Sequence, residues 1–553
     1  MRNTRMSGRA RNIAACTAIA IAAGALFASP ALADAKGPTA PKAATAAKAK
    51  PRFDLDGDGK GDIVARTEAG LVTYRNDNGN YVATPLLTDL PHAEINRLIT
   101  PGDLDGDGKP DVLWTDPAGN LFALTNAGGT AKPTVTRISS GWNMYDKVVS
   151  VGDLTGDGKN DLIAVTRDGD AYLFAGTGNL NAPFAPAVKV ASGWGDYDQI
   201  VGVTDADGDG IGDLYVRTVT DDLLFIGGTG DAAKPFKAPV ALGAGWHSYN
   251  QLLSADDQDG DGLSDLLART ESGDLYLYKA LGNGRFADPV KTGSGWQAAA
   301  VLGNAGGRAA VGKDKFLTKG AHFVNEYRSV KNDGQFGVPT PWPAGVNDDQ
   351  FTVGLANALN DSGEPSRLQV ADGRLWIDGP GQQQASLGKG WDAYTTLFGP
   401  GDLNGDGHGD LLAVDKAGVL WEYLGDGSGS KFAERIQVGS SWQGFDKVVG
   451  SGDINGDGRA DVVARAKSGH LFLFPGTGDP RAPFGTLQDL GGGWNAYTKL
   501  AAVADDTGNG TTDLIAIDAS GQGFRYDGQG RYGGKFKPAG SLGGGWNAYT
   551  DLF

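Results

Sequence analysis

The sequence predicts an all-β fold, a β-propeller of ten four-stranded repeats of about 50 residues, and three observations predict it. An Asp-rich loop recurs at a spacing of about fifty residues, a Gly-Trp motif keeps the same beat, and short strands with alternating apolar character, broken by glycine turns, fill the space between. No stretch between 52 and 553 carries an apolar stripe of helical period over a long window.

The loop reads DLDGDGKGD at 54–62, DLDGDGKPD at 103–111, DLTGDGKND at 153–161, DADGDGIGD at 205–213 and DQDGDGLSD at 257–265. It returns as DLNGDGHGD at 402–410, DINGDGRAD at 453–461 and, in weaker form, DDTGNGTTD at 505–513. The second motif, as in SGWNMYDKV, places tryptophans at Trp142, Trp194, Trp246, Trp296, Trp391, Trp442, Trp494 and Trp546. Where a loop follows one of these, it begins about eleven residues later. Within one unit, 246–293, the order is YNQLLSA, the loop, DLLART, a turn, DLYLYKA, a turn and RFADPVKTG, which is four short strands at hairpin spacing. A sheet that small buries both faces only when neighbours stack on it, and the tryptophan suits a wedge between them.

Between Asp257 and Asp402 there is room for two more units, placed near 303–315 and 355–365, which brings the count to ten. Unit starts in the two halves are offset by about 250 residues, and each half begins on a loop and ends on a Trp strand, at 293–303 and 543–553. The last strand of each half can therefore complete its first sheet and hide an edge. The expected partition is two tandem five-bladed propellers, 52–303 and 304–553, with one ten-bladed ring as the alternative.

The first 33 residues have the layout of a secretory signal peptide: Arg2, Arg5, Arg9 and Arg11, the apolar run IAACTAIAIAAGALFA, then an A-x-A site after Ala33. Residues 34–51 are mostly Ala, Lys and Pro and read as a flexible basic linker. The expected setting is extracellular. The single cysteine, Cys16, lies within the signal, so disulfides are excluded and another staple must serve. Loss of four arginines with the signal leaves 45 bases against 66 acids, a formal charge of −21. That balance argues against nucleic acid as a partner, and no other run approaches the length of a membrane span. A monomer is expected.

In D-x-D-x-D-G-x-x-D, positions 1, 3, 5 and 9 bring carboxylates inward, position 7 offers a carbonyl, and glycine at 6 permits the sharp turn: an oxygen cage for a hard cation of calcium's size. Without a cation such carboxylates repel by about 1 kcal/mol per pair even in water. An EF-hand would need glutamate at position 12 and flanking helices. Here position 12 is Ala65, Trp114, Ala164, Val216, Ala268, Ala413, Ala464 or Ala516, followed by strand pattern.

On these loops the chain, over essentially 52–553, resembles the FG-GAP or VCBS repeats of integrin-α-like propellers, common in secreted bacterial proteins. The resemblance implies calcium in the blades, at up to eight sites. The ligand sets it implies are Asp54, Asp56, Asp58, Lys60 and Asp62; Asp103, Asp105, Asp107, Lys109 and Asp111; Asp153, Thr155, Asp157, Lys159 and Asp161; and Asp205, Asp207, Asp209, Ile211 and Asp213. The remaining sets are Asp257, Asp259, Asp261, Leu263 and Asp265; Asp402, Asn404, Asp406, His408 and Asp410; Asp453, Asn455, Asp457, Arg459 and Asp461; and Asp505, Thr507, Asn509, Thr511 and Asp513. Position 7 contributes its carbonyl in each. Thr155 and Thr507 depart from the pattern at position 3, and Asn509 weakens position 5, so the 505–513 loop is the poorest ligand set. The units near 304 and 357 lack the carboxylates and are expected to hold no metal.

The functional expectation is a secreted, calcium-binding, non-catalytic scaffold for binding or adhesion, with an extracellular protein or a glycan as partner. One alternative is a propeller lectin using the Trp and Tyr rings of the repeated G-W-x-x-Y motif; another is a structural spacer. An extracellular hydrolase finds little support. The chain has no cysteine nucleophile outside the signal, no G-x-S-x-G elbow and no H-E-x-x-H, and its five histidines, His92, His247, His322, His408 and His470, fall in variable slots or turns.

Overall fold

Strands account for nearly all regular structure: second strands such as 111–115 and 213–218 are buried along almost their whole length, whereas third strands such as 171–174 and 275–278 alternate. The computed structural model describes residues 50–553 apart from 68, 89–94, 117–118, 128–132, 271, 300, 308–314, 321–322, 329–335, 343–350, 356–365, 380–381, 407, 427–430, 504, 506–510 and 530–535. The signal peptide, nearly all of the linker, and 308–314 and 356–365 of the two degenerate units lie outside the described residues.

Among the described residues there are ten four-stranded antiparallel sheets and no α-helix. We number them in chain order: sheet 1 (63–87 with 301–302), 2 (97–139), 3 (145–191), 4 (197–244), 5 (251–293), 6 (315–341 with 551–552), 7 (351–389), 8 (394–439), 9 (445–491) and 10 (497–543). Two of them borrow a strand from far along the chain. Ala65 and Arg66 pair with Leu302 and Val301, and Thr318 and Lys319 pair with Leu552 and Asp551. This is the edge-hiding clasp expected from the two Trp strands.

The core follows the same closure. In the first half, one apolar cluster joins Ile63 and Ala65 of sheet 1 to Leu253 and Leu267 of sheet 5. In the second, Phe316 of sheet 6 packs with Val503 and Ile515 of sheet 10.

The tryptophans are the wedges. All eight are 6–9% exposed, and their distribution explains the motif. Trp142, Trp296, Trp442 and Trp546 donate their backbone N–H to Gly119, Gly273, Gly418 and Gly521 of the preceding sheet at 2.9–3.1 Å. Their rings meet Phe174, Tyr74, Phe474 and Tyr327 of the following sheet, with centroids 4.7–5.3 Å apart. Trp296 thus links sheet 5 to sheet 1, and Trp546 links sheet 10 to sheet 6.

Sequence pattern places these tryptophans on strands, whereas each sits in a single 3₁₀ turn just before its strand. The cause is the preceding residue, which is left-handed at every copy: Gly141, for example, has φ 87°. At seven copies that residue is glycine; at the eighth it is Ser441, with φ 66°.

Arg52 is one of several long polar side chains set deep in the first half, with Lys147 and Arg269. Fully buried, it pairs with Asp256 at 2.7 Å and donates to the carbonyl oxygens of Gly202, at 2.8 Å, and Ser150. Its guanidinium thereby ties the segment before sheet 1 to residues at the ends of the first strands of sheets 3, 4 and 5.

Candidate metal centre

Each Asp loop joins the first strand of a sheet to the second, except 54–62, which leads into 63–67 with no strand before it in the chain; the shape of such a loop is written in the side-chain-to-backbone bonds of its own aspartates. The position 1 carboxylate accepts two glycine N–H groups, from positions 4 and 6: Asp54 from Gly57 and Gly59 at 2.8 and 3.0 Å, Asp103 from Gly106 and Gly108 at 2.7 and 2.8 Å, and Asp453 from Gly456 and Gly458, both at 2.7 Å. Position 5 accepts the N–H of position 7, as in Lys60 to Asp58 at 2.9 Å and Arg459 to Asp457 at 3.0 Å. These bonds require left-handed glycines; Gly57 and Gly59, for instance, have φ 76° and 85°.

Position 9 does more than the ligand pattern foretells. It begins, or immediately precedes, the second strand, which disposes of the EF-hand geometry. One oxygen accepts the N–H of position 2, as in Leu104 to Asp111 at 2.7 Å and Ala206 to Asp213 at 2.9 Å. The other reaches an N–H about fifteen residues on: Gly176 to Asp161, Gly228 to Asp213 and Ala280 to Asp265, each at 2.8 Å. The position 9 aspartate therefore staples the loop to the hairpin end of its own sheet. Asp513 makes the same bond, from Gly528 at 2.9 Å. In the last loop Asp505, Thr511 and Asp513 are described, while Thr507 and Asn509 lie outside the described residues.

Burial raises the position 9 carboxyls far above the usual carboxylate range, and neighbouring aspartates add to the rise. Asp62 and Asp161 are pushed up to about 6, Asp111 and Asp265 to about 7, and Asp213 to about 8. Asp410 and Asp461 are raised as well, again chiefly by burial. Positive charge is what such a cluster lacks. Part of it comes from side chains: Lys237 lies 3.1 Å from Asp207 and 2.6 Å from Asp209, and Lys279 lies 3.0 Å from Asp259.

Four loops hold three carboxylates with oxygens within 4.8 Å of one another: Asp54, Asp56 and Asp58; Asp103, Asp105 and Asp111; Asp205, Asp207 and Asp213; Asp257, Asp259 and Asp265. In three loops an oxygen of the ligand set is buried without a hydrogen-bond partner: Asp111 Oδ1, Thr155 Oγ1 and Asn455 Oδ1. A buried acceptor with no donor is costly, and a hard cation taking oxygen ligands fits the need of all three. The aspartates at positions 1, 3, 5 and 9 and the carbonyl of position 7 are the groups that would hold it.

The model of the FG-GAP-like repeat matches residues 54–114, 103–164, 153–216 and 402–464. The chain carries FG-GAP-like repeats. The matches cover sheets 1–4 and 8–9 through their loops and second strands; outside them the 257–265 loop makes the same bonds, and Asp513 makes the position 9 bond. No curated protein matches the chain. Among solved structures it is similar to a lectin from Agrocybe aegerita that recognises non-reducing terminal N-acetylglucosamine, at 18% identity over 88% of this chain and 91% of that one, with a TM-score of 0.27. It is also similar to BBS1N in complex with ARL6DN, at 13% identity over 59% of this chain and 89% of that one, with a TM-score of 0.21.

Proposed function

We propose that this protein is a secreted, calcium-braced binding scaffold without catalytic activity, built as two five-bladed propellers in tandem, 52–303 and 304–553. The partition draws on the two clasps, 301–302 onto sheet 1 and 551–552 onto sheet 6. Secretion draws on the signal-like first 33 residues. The observation that carries the cation is the set of unpartnered buried oxygens at Asp111, Thr155 and Asn455, pointing at one kind of missing partner in three separate loops.

Calcium would bind the folded loops and so brace sheets that have no disulfide to hold them. Ion content of the dialysed protein, followed by thermal melting with and without EDTA, tests this. Retained calcium and a melting temperature lowered by chelator are expected. Protein that retains no divalent ion and melts unchanged in EDTA would refute it.

For the partner, an extracellular protein or a glycan, the loops and outer strands are the accessible surfaces. A lectin working through the G-W-x-x-Y tryptophans is the weaker reading, since those rings are wedged between sheets at 6–9% exposure. Glycan-array binding that survives ring-preserving Trp→Phe changes would separate a sugar site elsewhere from one on the wedges.

A further inference from the structure

The Asp loops of the first half do not stand alone, because backbone bonds run from one to the next. The N–H at position 8 of one loop donates to the carbonyl of position 1 in the loop of the preceding sheet. Gly212 donates to Asp153 at 2.8 Å, Ser264 to Asp205 at 2.6 Å and, across the closure of sheet 5 onto sheet 1, Gly61 to Asp257 at 2.7 Å. Side chains follow the same path. A Cβ at Gly208, position 4 of its loop, would lie 3.7 Å from Leu263 Cδ2, and one at Gly260 would lie 3.7 Å from Lys60 Cε; Leu263 and Lys60 hold position 7 of the following loop. At the closure, Gln258 stands at position 2, where the other loops of this half carry Leu55, Leu104, Leu154 and Ala206. Its Nε2 donates to the Gly61 carbonyl at 2.7 Å, and its Oε1 accepts from Tyr81 at 2.8 Å and from Asn76 at 3.1 Å.

The 103–111 loop is outside this chain of bonds. Its position 8 is Pro110, which has no N–H to give. The 153–161 loop reaches back with the Asn160 side chain to the Pro101 carbonyl at 2.7 Å, which is on the strand before the 103–111 loop and not in it. A Cβ at Gly57 or Gly106, position 4 of the loops at 54–62 and 103–111, would meet nothing within 4 Å, so no following loop lies over either.

The linked groups are the ones a cation would order. Position 8 lies between the position 7 carbonyl and the position 9 carboxylate, and position 1 carries a ligand carboxylate on the same residue whose carbonyl accepts the link. A loop closed around an ion holds its ends of these bonds fixed, so less conformational freedom remains to be lost when the next loop binds. At the start of the chain, Thr155 Oγ1 is buried without a partner and points to the same need for a ligand.

We propose that the loops 153–161, 205–213, 257–265 and 54–62 load calcium as one cooperative unit, with 103–111 loading on its own. The inference rests on the calcium reading of the loops and adds to it how they fill. Cooperative loading turns a gradual rise in calcium into a sharp bracing of sheets 3, 4, 5 and 1, the closure included.

Hydrogen exchange of the full chain, followed peptide by peptide across a calcium titration with ion content measured in parallel, tests it. Protection of the four linked loops should rise at one shared midpoint and more steeply than independent sites allow, whereas 103–111 should titrate as a single site. Ser264→Pro puts at position 8 the residue that the 103–111 loop already carries and removes one link; the midpoints on its two sides should separate by about fivefold or more. Ser264→Ala, which keeps the N–H, should leave them together. Asp209→Asn weakens the ligand set of a loop inside the chain at a residue whose own bonds stay within sheet 4. It should raise the midpoints at 153–161 and 257–265 as well, and Asp107→Asn should move 103–111 alone. Calcium retained with unrelated midpoints in the wild type, or with the neighbouring loops unmoved by Asp209→Asn, would overturn the coupling alone. No divalent ion retained would overturn it together with the calcium reading, and a 103–111 loop that follows Asp209→Asn as closely as 257–265 does would also overturn it.

Discussion

Glu422 is the place where one substitution should make this protein more stable. It lies on the third strand of sheet 8, opposite Leu412, at the register position held by Leu173 opposite Ile163, Leu277 opposite Leu267 and Leu473 opposite Val463. Those leucines pack between neighbouring sheets. Glu422 is 0% exposed, and neither carboxylate oxygen has a hydrogen-bond partner.

Burial, with a smaller contribution from the charge of Asp479, pushes its carboxyl from 4.5 up to about 8. The folded protein therefore holds this proton more tightly than the unfolded chain. The stability gained is complete below about 4.5 and is lost as pH rises through about 8. Keeping the group neutral at pH 7 costs about 3 kcal/mol relative to low pH, and at pH 5 about 1 kcal/mol, at 1.36 kcal/mol per unit. Glu422→Leu removes that cost and restores the packing of the other sheets. We expect a gain of about 3 kcal/mol or more in urea unfolding at pH 7, shrinking by about 2–3 kcal/mol at pH 5. Glu422→Gln should share the pH-dependent part alone. A gain that is the same at both pH values, or a leucine variant less stable than the wild type at pH 7, would refute this account of the site.

Two further substitutions test how the halves are held. Arg52→Met leaves Asp256 buried without its cation and frees the carbonyls of Ser150 and Gly202, so the first half should lose about 3–5 kcal/mol in urea unfolding; a loss under about 1 kcal/mol would show that the guanidinium is not the tie described. Ser441→Gly relieves a left-handed serine at φ 66° and should gain about 0.5–1 kcal/mol, the left-handed penalty less the extra freedom of glycine in the unfolded chain. Calorimetry of Ser441→Gly beside Gly493→Ser, the reverse change at an equivalent turn with φ 97°, should give shifts of opposite sign.

The Asp loops and the Trp beat by themselves determine the repeat, the strand count per unit and the closing strands, because nine residues of alternating Asp and Gly set their own turn through bonds within the loop, and a wedge recurring every fifty residues has one stable use. The staple made by the position 9 aspartate was half visible: its place beside a strand is local, but its second bond, to Gly176, Gly228 or Ala280, depends on how the hairpin folds back. What only the tertiary structure decided are the encounters across long stretches of chain: Arg52 with Asp256, 204 residues apart, Arg459 with Asp168, 291 apart, and the dry slot of Glu422. Local sequence sets backbone conformation through neighbouring atoms, whereas desolvation and ion pairing depend on which distant surfaces the closed sheets bring together, and no window of one strand contains that information.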